Sequence, residues 1–574
     1  MKIKYLLFIT FAFASISASA QTKKKKPAVI AAPQEASTAL PRPKLVVGIV
    51  VDQMRWDYLY RFYDRYQSNG FKRLLNDGFS CENTQVDYIP TFTGPGHSCI
   101  YTGSVPSIHG IAANDYIIQA TGQPMYCTED TTVQTVGSTS KAGQMSPRNL
   151  LVTTVTDELR LATNFHSKVI GIALKDRGGI LPAGHTANAA YWYDDKTGNW
   201  ITSTYYMNDL PQWAKDFNDQ KIAETYLKLD WNPLYPVDTY IQSTADDSKY
   251  EARFKGTDAP TLPVKTSALY KNLGLGLIRS VPAGDTFTLD FAIAAINGEQ
   301  LGNNPTGATD FLPISLSTPD YIGHQFAINA VEIEDTYLKL DRDIANFLTF
   351  LDAKIGKGNY TVFLTADHGA AHNPAFLNDH GIPAGVWDDG LTLKDMNALL
   401  ESKYGAKKII LSLDNYQVNL NKAVIAEKSL NEDAIKQDCI AYLQKLPYVM
   451  YAVDEQKVAS ASIPEPLRTR IINGYNAKNS GCIQVIIDPA WFTGHQAGDG
   501  GPTGTTHGTW NPYDNHIPLV FMGWGINHGS AVRETHMTDI APTIAALLHI
   551  QAPNGCIGVP ISEVIKLAPP NPPR

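Results

Sequence analysis

Four predominantly apolar stretches of this 574-residue chain each run straight into residues that carry charge or bind metal. They are Lys44–Val51 before Asp52, Lys168–Leu174 before Lys175-Asp176-Arg177, Phe311–Ser317 before Asp320 and His324, and Tyr360–Ala366 before Asp367-His368. A strand with no polar face has to be buried on both sides, which requires a mostly parallel sheet covered by helices. Ligands of such open sheets bind beyond the carboxyl ends of the strands. The expected fold is therefore α/β, with a mostly parallel central sheet sandwiched by helices and its chemistry gathered along one edge.

The ends of the chain are of another kind. Met1-Lys2-Ile3-Lys4, the apolar run Tyr5–Ala14 and Ala18-Ser19-Ala20 form an export signal cleaved after Ala20. Its apolar run is too short to span a bilayer comfortably. The protein is thus expected to be exported, to the periplasm or beyond, with no membrane span. Residues 21–44, rich in Lys, Ala and Pro, read as a disordered tail. A net charge of −8 leaves no basic footprint for nucleic acid. Six cysteines in an exported chain permit disulfides, but no Cys-x-x-Cys spacing supports a thiolate zinc site. Nothing fixes the oligomeric state, and a monomer is the default.

Thr93 lies in Ile89-Pro90-Thr91-Phe92-Thr93-Gly94-Pro95-Gly96-His97. A helix opening here would put its hydroxyl at an N-terminus, where free N–H groups favour an oxyanion. No serine-protease-like base accompanies it, so metal has to activate the hydroxyl. Thr91 is the alternative nucleophile in another register. Asn114 is a turn residue or a donor to phosphate oxygens. Lys175 and Arg177 are a solvated basic turn or an anion clamp. Asp52 is a ligand or a cap for the helix expected over Arg55–Tyr66. Asp320 and His324, four apart, share one face if that segment is helical. Two inserted segments are expected, at about 189–308 and 376–480, within a catalytic domain spanning 45–565. Ile483–Asp488 and Ile517–Met522 are further strands, and Val331–Leu351 is a long amphipathic helix.

Asp52, Asp320, His324, Asp367, His368 and His507 together supply carboxylate and imidazole donors for two open metal sites. A metal pair about 4 Å apart clamps the attacking and leaving oxygens of an in-line displacement. In this order Val51-Asp52, Pro90–His97, Asn114, Lys175-Asp176-Arg177, Asp320-Tyr321-Ile322-Gly323-His324, Asp367-His368-Gly369 and Thr506-His507-Gly508 resemble the alkaline phosphatase superfamily. The resemblance is greatest to the exported bacterial alkaline phosphatases of the PafA type, which use a threonine nucleophile.

That resemblance implies two Zn2+ ions. One would be held by Asp320, His324 and His507, and the other by Asp52, Asp367 and His368 with Thr93. Asn114, Lys175 and Arg177 would grip the phosphoryl oxygens. The implied activity is hydrolysis of small phosphate monoesters through a phosphothreonine at Thr93. Gly94-Pro95-Gly96-His97 departs from the Pro-Asn-His of related nucleotide pyrophosphatases, a change expected to alter packing and not chemistry. His97, His109, His372 and His380 read as loop or supporting residues.

The nearest rival is a phosphodiesterase on the same scaffold, which would usually lack the Lys175/Arg177 clamp. A sulfatase would need a Cys-x-Pro-x-Arg motif that the chain lacks. A zinc- or phosphate-binding surface protein without catalysis would be favoured by a missing ligand or nucleophile, and none is missing.

Overall fold

The computed structural model describes residues 40–494 and 502–566. The expected signal peptide and most of the tail lie outside these residues. The tail ends earlier than expected. Arg42 Nε donates to Leu548 O at 2.6 Å, and Lys44 N to Asn359 O at 2.7 Å.

The central sheet is built from β1 (Leu45–Val51), β2 (Phe79–Gln85), β3 (Ile170–Ala173), β4 (Ala189–Asp194), β5 (Asn199–Ser203), β6 (Asp310–Leu316), β7 (Tyr360–Thr365) and β8 (Leu519–Gly523), with shorter strands at its margins. The helices that matter for the site are α1 (Thr93–Thr102), α2 (Asp176–Ala183), α3 (Thr318–Phe326) and α4 (Val331–Leu351).

The strand order across the sheet is β2-β8-β7-β1-β6-β3-β4-β5. β7, β1, β6, β3 and β4 are mutually parallel, while β8 and β5 run antiparallel at the flanks. Every residue of β1, β6 and β7 is buried, as strands covered on both faces must be. Because β1 pairs in register with both β6 and β7, Asp52 emerges between the ends of its two neighbours. Gly48 makes room for Tyr101 of α1 and for Phe363 of the neighbouring β7: a Cβ there would lie 2.3 Å from Tyr101 Oη and 2.5 Å from Phe363 Cζ. The ten residues of α1 are all buried, so the helix is enclosed on every side.

Three sequence expectations change. Arg55–Tyr66 is not one helix but a turn, Tyr58–Arg61, and a 3-10 turn, Tyr63–Arg65, broken at Phe62. Its aromatic residues are poor helix formers and are drawn into the core, where Tyr58 meets Tyr337 with ring centroids 4.6 Å apart. The segment beginning at 189 starts inside the sheet, since β4 and β5 extend it with Trp192 and Trp200 buried. Ile483–Ile487 leaves the central sheet for a second, antiparallel one with Ile410–Ser412, Gln417–Leu420 and Val449–Asp454. That sheet has its own core around Trp387, Ile435 and Val485. Among the described residues no helix is long and apolar enough to cross a membrane. All six cysteines are free thiols.

Candidate active site

The carboxyl ends of β1, β6, β3 and β7 bring Asp52, Asp320, Lys175 and Asp367-His368 together. Asp320 and His324 occupy successive turns of α3, with Asp320 Oδ1 3.1 Å from His324 Nε2. His507 arrives from a distant loop, its Nε2 3.7 Å from the same oxygen. Asp320, His324 and His507 form one group whose donor atoms lie within 4.8 Å of one another, and Asp52, Asp320 and His368 form another.

The histidine tautomers follow from elementary chemistry. His324 Nδ1 donates to Thr505 O at 2.8 Å, His368 Nδ1 to Gly369 O at 3.0 Å, and His507 Nδ1 to Thr91 O at 2.6 Å. A carbonyl can only accept, so each Nδ1 carries a proton, and Nε2 is the ring atom left to face a metal ion. This backbone anchoring is how metal-binding histidines are oriented. His368 Nε2 and Asp52 Oδ1 are buried, lack any hydrogen-bond partner and face each other across 3.6 Å. With the ring neutral, lone pair opposes lone pair there, an arrangement that a divalent cation between them resolves. The residues present therefore fit a metal ion.

Charge is concentrated here. Burial first, then Asp367, pushes the Asp52 carboxyl up to about 8 despite Lys175. Burial would also raise Asp320, but His324 and Lys175 hold it well below the usual carboxylate range. Burial, His368 and His324 keep His507 well below the usual imidazole range, so it stays neutral.

Lys175 is not poised over open space. Its Nζ stands between the carboxylates of both groups, 2.6 Å from Asp52 Oδ2 and 2.5 Å from Asp320 Oδ2. Its reach is fixed by two buried anions that need a counter-charge. Asp367 stands beside Asp52 and His368, and its Oδ2 is likewise buried without a hydrogen-bond partner. Its Oδ1 accepts from the backbone N–H groups of Gln53 and His368 at 3.2 and 3.0 Å, and its Oδ2 lies 3.3 Å from His97 and 3.7 Å from His368 Nε2.

Thr93 opens α1, and no hydrogen bond engages its hydroxyl among the described residues. Thr91 is committed instead: its hydroxyl donates to Thr509 O and accepts from Gly508 N. Gly94 N donates to Asn114 Oδ1 at 2.7 Å, so the amide oxygen caps the helix N-terminus and the NH2 keeps its own two donors. Gly96 lets α1 touch the ligand loop, since a Cβ there would lie 2.6 Å from Asp367 O. Arg177 is half-buried at the start of α2; it donates to Tyr126 Oη at 3.0 Å, and its buried Nε–H has no acceptor.

Sequence reasoning missed Gln53, which bonds Asp320 Oδ1 at 2.7 Å. The signal was its place directly after a strand-end aspartate. His97 is a supporting residue, as expected: Nδ1 lies 2.9 Å from Thr93 O and Nε2 2.9 Å from Ser315 Oγ. It thereby ties the Thr93 backbone to Asp367. His97→Ala is expected to lower kcat about 10- to 100-fold with little change in KM and with bound metal retained. Unchanged kcat in steady-state assays would show that Thr93 needs no such anchor. His109, His372 and His380 stand outside both groups.

Residues 46–510 match the type I phosphodiesterase / nucleotide pyrophosphatase family, and the chain belongs to it, within the alkaline phosphatase superfamily. A relative from Myroides odoratus bearing the name calcium-transporting ATPase is 62% identical over 92% of this chain and 96% of its own. Alkaline phosphatase PhoV of Synechococcus elongatus is 50% identical over 99% of this chain and 100% of its own. Alkaline phosphatase PafA of Elizabethkingia meningoseptica is 50% identical over 92% of this chain and 96% of its own. A crystal structure of wild-type PafA superposes with a TM-score of 0.89, covering 92% of this chain and 100% of that one.

Proposed function

We propose that this protein is an exported, zinc-dependent alkaline phosphatase that hydrolyses small phosphate monoesters through a phosphothreonine at Thr93. The observation that carries the reading is the set of Nε2 atoms and unpartnered carboxylate oxygen converging beside a helix that opens on a free threonine hydroxyl. Its similarity to PafA and PhoV along nearly the whole chain supports the same reaction class. Export rests on the first 20 residues, and the reading of one catalytic domain with insertions rests on the sequence.

Asp320, His324 and His507 would hold one zinc ion; Asp52, Asp367 and His368 would hold the other, joined by Thr93. Zinc bound there lowers the pKa of an attacking hydroxyl and neutralises a leaving oxygen. Thr93 Oγ1 then forms a bond to phosphorus as the ester P–O bond breaks and the alcohol departs. Water attacks phosphorus next, the P–O bond to Thr93 breaks, and phosphate leaves. The Asn114 NH2 and the unsatisfied Arg177 Nε–H would donate to the non-bridging oxygens as negative charge develops on them. A monoester dianion offers more such charge than a diester, which favours the phosphatase over the phosphodiesterase. The ATPase name of the Myroides relative fits the same chemistry, since the terminal phosphate of ATP is a dianionic phosphoryl group.

Arg177→Ala tests the clamp without touching a ligand. It is expected to lower kcat/KM for an aryl phosphate monoester by about 10²–10³ and for the matching methyl diester by much less. Equal losses on both substrates would place Arg177 outside substrate recognition.

A further inference from the structure

β1 ends in a tight turn with an unexpected residue at its second corner. Met54 N donates to Val51 O at 3.2 Å, so Asp52 and Gln53 are the two corner residues. Gln53 has a φ of 65°, in the left-handed region that glycine or asparagine adopts at least cost. A long side chain held in that conformation is over-determined by its surroundings, and such strain gathers at functional positions. The residue is 3% exposed.

The two kinds of N–H that Gln53 offers serve different carboxylates. Its backbone N–H donates to Asp367 Oδ1 at 3.2 Å, and its side-chain Nε2 to Asp320 Oδ1 at 2.7 Å. A carboxylate only accepts, so the amide is oriented with Nε2 toward Asp320. Its Oε1 then lies against Gly323, in the middle of α3 and on the same face as Asp320. A Cβ on Gly323 would lie 2.0 Å from that Oε1. Glycine inside a helix is unfavourable; here it leaves the room through which the Gln53 amide reaches Asp320.

We infer that Gln53 is a positioning residue that ties the two sets of metal donors together, and that the bare Gly323 is what admits it. The inference rests on the two-zinc reading above. Asp320 Oδ1 faces His324 and His507, and Oδ2 meets Lys175. The Gln53 donor on Oδ1 and the Lys175 ammonium on Oδ2 fix the plane of the carboxylate from its two sides. Oδ1 is thereby presented to the Nε2 atoms of both histidines before an ion arrives, which is how supporting hydrogen bonds raise metal affinity. At the same corner the Gln53 backbone N–H orients Asp367 in the other set.

A double-mutant cycle on the full-length protein tests this, with zinc affinity read by elemental analysis across a chelator-buffered zinc series and the zinc-free fold read by circular dichroism. Gln53→Ala removes the donor. Gly323→Ala keeps Gln53 but places a methyl group where its amide lies, and alanine favours the helix, so that variant folds. Each is expected to weaken zinc binding about 10- to 100-fold with the zinc-free fold unchanged. The double variant is expected to be no weaker than Gln53→Ala alone, because both changes break one contact. Parental zinc affinity in Gln53→Ala would overturn the inference and leave the two-zinc reading standing. Losses that add in the double variant would overturn it equally, since Gly323 would then act without Gln53. A parent protein that takes up no zinc would overturn the two-zinc reading itself and this inference with it.

Discussion

Thr93→Ala is expected to abolish monoester turnover, lowering kcat/KM by about 10⁴–10⁶. The size follows from what the residue supplies. Among the described residues no hydrogen bond engages the Thr93 hydroxyl, and no other hydroxyl is placed to inherit its role as nucleophile. Thr91, two residues away, has its hydroxyl tied into the backbone at Thr509 and Gly508 and cannot replace it. Residual activity would be limited to water attacking an ester held by the remaining site. The same variant should yield no phosphoenzyme on acid quench, whereas the parent should yield a single phosphopeptide carrying Thr93. A labelled peptide containing Thr91 in place of Thr93 would move the nucleophile by two residues.

The second large effect belongs to Asp320. It is the most shared residue of the site: Oδ1 faces His324, His507 and Gln53, and Oδ2 faces Lys175. It is also the one residue common to both groups of donors. Asp320→Ala should therefore cost more than one ligand. The Lys175 ammonium loses one of its two partners, and the imidazoles of His324 and His507 lose a neighbouring negative charge. Zinc content measured by elemental analysis should fall from two ions per chain to one or none, with kcat/KM down by about 10³ or more. Full zinc occupancy with near-native activity would remove Asp320 from the metal site.

Much of this arrangement was legible in the sequence because strand burial and strand-end chemistry are both local signals. The apolar run Leu45–Val51 demanded a two-sided strand, and Asp52 had to follow it to the edge where ligands bind. The four-residue spacing of Asp320 and His324 fixed their shared face once α3 formed. The pairing of charges was not legible. Lys175 reads as an anion clamp from Lys175-Asp176-Arg177 alone, yet it meets carboxylates 123 and 145 residues away, a contact that the order of strands in the sheet decides. Gln53 reaches a partner 267 residues on for the same reason. The second sheet was hidden because Ile483–Ile487 is as apolar as a central strand, and only its partners, Gln417–Leu420 and Val449–Asp454, distinguish the two.

Recognition of a phosphate monoester by a cationic, two-zinc site is tested most directly by comparing kcat/KM of the zinc-loaded protein on an aryl phosphate monoester and on the matching methyl diester. The same leaving group in both substrates isolates the charge on phosphorus. Strong preference for the monoester is the predicted result. Preference for the diester would contradict it and make the protein a phosphodiesterase of the same family.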